Sequence, residues 1–142
     1  MAETVSIRMA KDPFTLAATD SLRVAVELAL QKKIRHFPVV DGAGKLLGIV
    51  TDRDIKRALP SPLEHLDEAG RERLLDETPI SRIMTRDPIA VTPATPVAEA
   101  IRTMLAKKIS GLPVVEHGAL VGVFTETDAL RAYLELLDAS EA

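Results

Sequence analysis

Cysteine is absent from this 142-residue chain, which rules out a disulfide framework, a zinc–thiolate site and a cysteine nucleophile. Aromatic residues make up only 3% of it, so any core must be assembled from Val, Ile, Leu and Ala. No apolar run approaches membrane-spanning length, and the N-terminus has no signal-peptide core. The expectation is a cytoplasmic protein with no membrane partner. Excess positive charge is also missing: the net charge is −3, which argues against nucleic acid held on a broad basic surface. His36, His65 and His117 are too scattered to hold a metal, and no His-x-x-x-His spacing occurs. Ser21, Ser81 and Ser110 have no nucleophile-elbow context. Gly42-Ala-Gly44 joins two apolar stretches and is not followed by a helix, so a phosphate-cradling glycine loop is excluded. No catalytic residue is assigned, and the chain is expected not to be an enzyme.

What the chain does have is a sentence written twice. Met9-Ala-Lys-Asp-Pro13 returns as Met84-Thr-Arg-Asp-Pro88. Lys32-Lys-Ile-Arg-His-Phe-Pro-Val-Val40 returns as Lys107-Lys-Ile-Ser-Gly-Leu-Pro-Val-Val115. Gly48-Ile-Val-Thr-Asp-Arg-Asp54 returns as Gly122-Val-Phe-Thr-Glu-Thr-Asp128. The spacing is constant until the Asp41–Gly44 turn, where the second copy is one residue shorter. Two copies of one supersecondary unit follow, expected to pack about a pseudo-twofold axis. A hydrophobic content of 46% excludes a disordered tail.

Each copy reads as β-α-β-β-α, giving an α/β (α+β) fold. A short apolar stretch opens it, Phe14-Thr-Leu16 or Ile89-Ala-Val91. A helix follows with Asp20 or Thr95 as N-cap, and Pro96 stands where the first helical residue belongs. Leu22, Ala25 and Ala29 match Val97, Ala100 and Met104 at helical spacing. Two strands then flank a Gly-containing turn: Phe37–Val40 with Leu46–Val50, and Leu112–Val115 with Leu120–Phe124. A second helix opens at Thr51 or Thr125 and carries Ile55, Ala58 and Leu59, or Ala129, Leu130 and Tyr133. Met84 and Met104 read as core or repeat-interface residues. The domain division is residues 1–60 for the first repeat, 61–79 for a charged linker and 80–142 for the second repeat. Within the linker, Ser61-Pro-Leu-Glu64 has capping-box spacing and predicts a helix carrying Leu63, Leu66, Gly70 and Leu74. That helix is either a surface connector or a contact element for a partner.

The Pro-Val-Val strand, the Gly-x-x-Thr-x-x-Asp turn and the Met-x-x-Asp-Pro opening resemble the cystathionine-β-synthase (CBS) domain, here as a tandem pair. The charged linker is similar to that of the small acetoin-utilisation type of two-CBS protein. The chain is expected to end after the second repeat. The resemblance implies regulatory binding of an adenosine-containing ligand: AMP, ADP, ATP, S-adenosylmethionine or a dinucleotide. It also implies energy sensing, two candidate clefts per pair, and a homodimer of pairs forming a flat disc. With no effector domain attached, an effector protein would have to read the signal. No cofactor is required, although Glu126 and Asp128 could hold Mg beside nucleotide phosphates.

In the family the motif Asp accepts hydrogen bonds from ribose hydroxyls, and the motif Thr meets phosphate at a helix N-terminus. The chemistry suits both roles, since a carboxylate can take two hydroxyl donors and free N–H groups favour an anion. The same spacing is also a capping box, in which Thr and Asp merely satisfy backbone donors. Carried onto this chain, the preferred repeat-2 cleft would be built from Thr95, Ala100, Ile109, Ser110, Thr125 and Asp128. The weaker repeat-1 cleft would use Asp20, Ala25, Ile34, Arg35, Thr51 and Asp54, where Asp20 adds a carboxylate that repels phosphate. In relatives, cations of the partner repeat meet the phosphate. By position these are Arg35, His36 and Arg53, which would all converge on the repeat-2 cleft, because Ser110, Gly111 and Thr127 at the matching places carry no charge. Arg35 and Arg53 could instead be solvated or paired with Asp52 or an acidic linker residue. A ligand-free dimerisation scaffold is the competing function, and an enzyme subunit a remote one.

Overall fold

The computed structural model describes residues 3–61 and 64–141. Its elements run α1 (Val5–Arg8), β1 (Ala10–Lys11), α2 (Leu22–Lys32), β2 (His36–Val40), β3 (Leu46–Thr51), α3 (Asp52–Ala58) and α4 (Glu68–Glu77). They continue with α5 (Ile80–Ile83), β4 (Thr85–Arg86), α6 (Val97–Lys107), β5 (Gly111–Glu116), β6 (Ala119–Thr125) and α7 (Glu126–Glu141). Among the described residues, no helix is long and apolar enough to cross a membrane.

The chain forms two compact units, and their borders do not coincide with the repeats. The central unit is Phe14–Asp87; the split unit joins the chain up to Pro13 with the chain from Pro88 onward. Each holds a three-stranded antiparallel sheet, β2-β3-β4 in the central unit and β1-β6-β5 in the split unit. The opening segment of each repeat therefore completes the sheet made by the other repeat's strands.

That exchange reaches into the cores. Phe37, Val39, Val50, Leu16, Leu22, Ala25 and Ile55 of the central unit close around Ile80, which is fully buried. Leu112, Val114, Phe124, Val97, Ala100 and Met104 of the split unit close around Val5, also fully buried. Burying such a side chain contributes roughly 1.5–3 kcal/mol, so each imported helix is anchored by its one buried residue.

Glycine explains how the imported strands fit. A Cβ added at Gly48 would lie 2.6 Å from the Thr85 carbonyl oxygen, and one at Gly122 would lie 2.8 Å from that of Ala10. The glycines that open the Gly-x-x-Thr motifs thus allow β4 and β1 to lie against β3 and β6.

The structure corrects several local expectations. Phe14–Leu16 and Ile89–Val91 form no strands: each reduces to one parallel bridge, Leu16 to Val39 and Val91 to Val114. The N-caps are Ser21 and Pro96, not Asp20 and Thr95, and Pro96 lies one place outside its helix. The first free helical N–H groups are met by imported backbone. Leu22 N–H donates to the Thr78 carbonyl (2.8 Å) and Val97 N–H to that of Glu3 (2.9 Å). Each helix has its first donor satisfied in this way, and neither N-cap makes a side-chain capping bond. Asp20 and Thr95 brace the preceding turns, accepting from Ala17 N–H (2.8 Å) and Thr92 N–H (3.1 Å).

The linker helix starts at Glu68, capped by Asp67, whose Oδ1 accepts from Gly70 N–H at 2.7 Å. Ser61 does not start it; its carbonyl accepts a turn bond from Glu64 N–H (2.9 Å). Pro62 and Leu63 of the expected capping box and stripe lie outside the described residues. Leu75, one place along from the expected Leu74, packs against the central core. Arg23 of α2 bonds both Glu72 and Asp76 one turn apart on α4, with Nε 2.6 Å from Asp76 Oδ1. This holds the linker on the surface of the central unit. The arginine keeps the Asp76 carboxyl below its usual pKa.

Candidate functional site

Both Thr-x-x-Asp motifs sit where a strand turns into a helix, β3 into α3 and β6 into α7. In the central unit Thr51 is the N-cap and the capping box is complete. Asp54 N–H donates to Thr51 Oγ1 (3.3 Å), and Thr51 N–H donates to Asp54 Oδ2 (2.8 Å). In the split unit Thr125 N–H and Oγ1–H both donate to Asp128 Oδ2, at 2.8 and 3.2 Å. Asp128 is 8% exposed, against a partly exposed Asp54. Its other oxygen, Oδ1, lies 4.0 Å from Arg131 Nη1, a neighbour the sequence analysis did not single out although the i, i+3 spacing signals it. Each carboxylate is thus fixed through Oδ2 by its own turn.

The loop after the first helix of each repeat closes on this turn through its backbone. The Ser110 carbonyl accepts from Glu126 N–H and the Arg35 carbonyl from Asp52 N–H, each at 3.0 Å. These bonds satisfy the first N–H of α7 and of α3. Lys108 and Lys33, which end α6 and α2, hold left-handed backbone with φ of 56° and 54°. That sharp reversal aims the two following residues, Ile109-Ser110 and Ile34-Arg35, at the helix N-terminus.

The split unit therefore contains Thr95, Ala100, Ile109, Ser110, Thr125 and Asp128, and gathers Ser110, Thr125 and Asp128 around the start of α7. Ala100 is fully buried in the core, and Ile109 packs against it. The central unit contains Asp20, Ala25, Ile34, Arg35, His36, Thr51, Arg53 and Asp54. Ala25 is fully buried, His36 is 7% exposed, and Arg35 and Arg53 are exposed. Among the described residues, neither the Arg35 nor the Arg53 guanidinium forms an ion pair. Arg23 takes the acidic linker residues instead. Of Thr127 and Glu126, both exposed, neither is drawn into a cluster with metal-ligand geometry.

A further cavity was not foreseen. Between α6 and α7 runs an apolar groove of about 590 Å³ lined by Ile101, Met104, Leu105, Ile109, Ala129 and Leu130, with Lys108 and Glu126 at its polar edge. Leu105 and Leu130 are 74% and 68% exposed. Farther along α7, Tyr133, Leu134 and Leu137 continue the apolar face at helical spacing.

Comparison with known proteins matches the same two repeats. A CBS domain-containing protein of Dictyostelium discoideum is 36% identical over 133 residues, covering 92% of this chain and 90% of that protein. A Vibrio cholerae protein assigned to acetoin utilization (AcuB) superposes with a TM-score of 0.82 at 33% identity, over 99% of this chain and 97% of that one. The complex of CBSX2, an Arabidopsis thaliana CBS-pair protein, with AMP gives 0.78 at 28% identity, over 94% and 98%. The CBS domain pair of protein MJ0100, solved with 5'-methylthioadenosine and S-adenosyl-L-methionine, gives 0.78 at 30%, over 94% and 97%. Several other curated relatives are longer, and the chain spans less than half of their length. The CBS domain pattern itself falls on residues 3–61 and 80–135, each match holding one Met-x-x-Asp-Pro opening, one Pro-Val-Val strand and one Thr-x-x-Asp turn. With both repeats matched over most of its length, the chain belongs to the CBS domain family as a tandem pair.

Proposed function

We propose that this pair is a non-catalytic cytoplasmic regulatory module that binds an adenosine-containing ligand, chiefly through the repeat-2 residues, and passes its occupancy to an effector protein. The observation that carries this reading is Asp128. It is a nearly buried carboxylate held by Thr125 at a helix N-terminus, in a fold whose relatives were solved with AMP and with S-adenosylmethionine. The part those ligands share is adenosine, and a carboxylate is suited to the ribose hydroxyls. Thr95, Ala100, Ile109 and Ser110 would line the base and ribose, and Arg35, His36 and Arg53 are the phosphate-binding candidates of the central unit. Arginine can hold phosphate through paired N–H donors. The repeat-1 set of Asp20, Ala25, Ile34, Arg35, Thr51 and Asp54 forms the weaker site, since Asp20 adds negative charge. Mg beside Glu126 and Asp128 is an optional companion of a nucleotide, and energy sensing follows if AMP, ADP and ATP bind with different affinities.

The exposed apolar face of α6 and α7 supports a homodimer, the usual closed assembly of identical chains. A ligand-free dimerisation scaffold is favoured by one observation, the complete capping box at Thr51 and Asp54, which gives that motif a full structural role without ligand. A thermal-shift screen with AMP, ADP, ATP, S-adenosylmethionine and NAD separates the two. A sensor gains stability with at least one compound, rising with the logarithm of its concentration above Kd, and a scaffold with none.

A further inference from the structure

We propose that Met9 and Met84 are oxidation sites, and that conversion of their thioethers to sulfoxides unlatches the imported strands β1 and β4. The two methionines occupy equivalent places. A Cβ at Gly122 would lie 2.6 Å from Met9 Sδ, and a Cβ at Gly48 would lie 2.9 Å from Met84 Sδ. Each sulfur therefore rests directly over a strand glycine, with no room between them for another atom. Met9 packs against the core of the split unit and Met84 against that of the central unit, yet both remain partly exposed. Both residues are thus more open to an oxidant in solution than Met104, which is only 5% exposed. Cysteine being absent, thioethers carry the sulfur redox chemistry of this chain.

The step is a two-electron oxygen transfer from a hydroperoxide. A sulfur lone pair attacks the terminal hydroxyl oxygen of the peroxide and the O–O bond breaks; the proton on that oxygen passes to the departing oxygen, so the sulfur becomes a sulfoxide and the remainder leaves as water or alcohol. A sulfoxide adds a polar oxygen to a sulfur that is wedged against a glycine beside a backbone carbonyl, which is an acceptor and offers it no donor. The oxidised side chain must swing away from the glycine, and the strand it clamps loses its cover. Each latch is a two-residue strand, held otherwise by its ladder bonds and by the buried residue of the short helix before it, Val5 or Ile80. The consequence travels along one strand: Gly122 lies three residues before Thr125 and six before Asp128, and Gly48 stands in the same relation to Thr51 and Asp54. Reduction of the sulfoxide by a methionine sulfoxide reductase restores the latch.

The test is graded treatment of the whole protein with hydrogen peroxide. Peptide mass mapping follows the gain of oxygen, hydrogen exchange follows the backbone at Ala10–Lys11 and Thr85–Arg86, and a melt follows stability. Met9 and Met84 should oxidise faster than Met104. Protection of the two strands should fall in step, and Tm should drop by about 3–8 °C. The Met9→Leu, Met84→Leu double variant should show neither change under the same treatment, and a reductase should reverse both in the wild type. Oxidation of Met9 and Met84 no faster than that of Met104 would overturn the proposal. So would full oxidation with undiminished strand protection, or an equal loss of stability in the double leucine variant. None of these readouts uses a nucleotide, so failure of the ligand reading leaves the test intact.

Discussion

Replacing Gly48 with alanine isolates the contact that joins the two repeats. The glycine is not in the left-handed region, so alanine is conformationally acceptable there, and by itself would stabilise the fold by about 0.4–1 kcal/mol through the unfolded chain. The packing opposes this. The new Cβ would stand 2.6 Å from the Thr85 carbonyl oxygen and 2.9 Å from Met84 Sδ. The sulfur is at the end of a flexible side chain and can move, but the carbonyl belongs to β4 and cannot without shifting the strand. Ordinary contact begins near 3.4 Å, so β4 must retreat by 3.4 − 2.6 = 0.8 Å. A backbone hydrogen bond stretched that far is lost. Overpacking of this kind costs about 1–3 kcal/mol, which outweighs the entropic gain and leaves a net loss of about 1–2 kcal/mol. For a chain of this length the melting temperature should fall by about 3–8 °C. Gly42→Ala is the control: nothing lies within 4 Å of its added Cβ and its φ is not positive, so its stability should be unchanged or raised. Thermal and urea melts on the two variants decide the matter. Gly48→Ala as stable as Gly42→Ala would refute the claim that this glycine exists for the approach of β4.

Four other outcomes are expected. Asp128→Ala should weaken binding of AMP by about 1–3 kcal/mol in calorimetry and Asp54→Ala by less, the loss being that of a charged hydrogen-bond acceptor; equal affinity in wild type and Asp128→Ala would leave that carboxylate only its role in the turn. Arg35→Ala should lower AMP affinity at unchanged stoichiometry and leave adenosine affinity alone, whereas a gained second site would mean that Arg35 blocks the repeat-1 cleft. Lys33→Gly should stabilise by about 0.5–1 kcal/mol in a urea melt, because relief of left-handed strain exceeds the entropy that glycine adds to the unfolded chain. Finally, Arg23 depresses the Asp76 carboxyl, so the pair's contribution is present above the ordinary carboxylate pKa and is lost as pH falls through the lowered one; Asp76→Asn should flatten the acid limb of a stability–pH curve and leave melts at alkaline pH parallel to wild type.

Much of this protein follows from its residues alone. The strands around Pro38 and Pro113, the turns at Gly44 and Gly118, and the helices opening after Thr51 and Thr125 all lie where the doubled pattern puts them. They are legible because each rests on local physics: short apolar runs bounded by turn residues, positive-φ glycine, and a hydroxyl with a carboxylate three residues on. The clustering of Thr125 with Asp128 was readable for the same reason, since both belong to one turn.

The tertiary structure decided what backbone does at long range. Asp20 and Thr95 look like N-caps, yet the helices begin after Ser21 and Pro96 because the carbonyls of Thr78 and Glu3 arrive to take the first N–H groups. Phe14–Leu16 and Ile89–Val91 look like strands, yet the sheet edges are filled by Ala10–Lys11 and Thr85–Arg86, two-residue pieces with no periodicity to read. Ser61 looks like the start of the linker helix, but Asp67 caps it, and Arg23 on α2 holds it through acids a turn apart. For the two helix starts, the sheet edges and the Arg23 clasp, the partner lies dozens of residues away. A hydrogen bond of that reach leaves its mark in the sequence only where it forbids a side chain, as it does at Gly48 and Gly122.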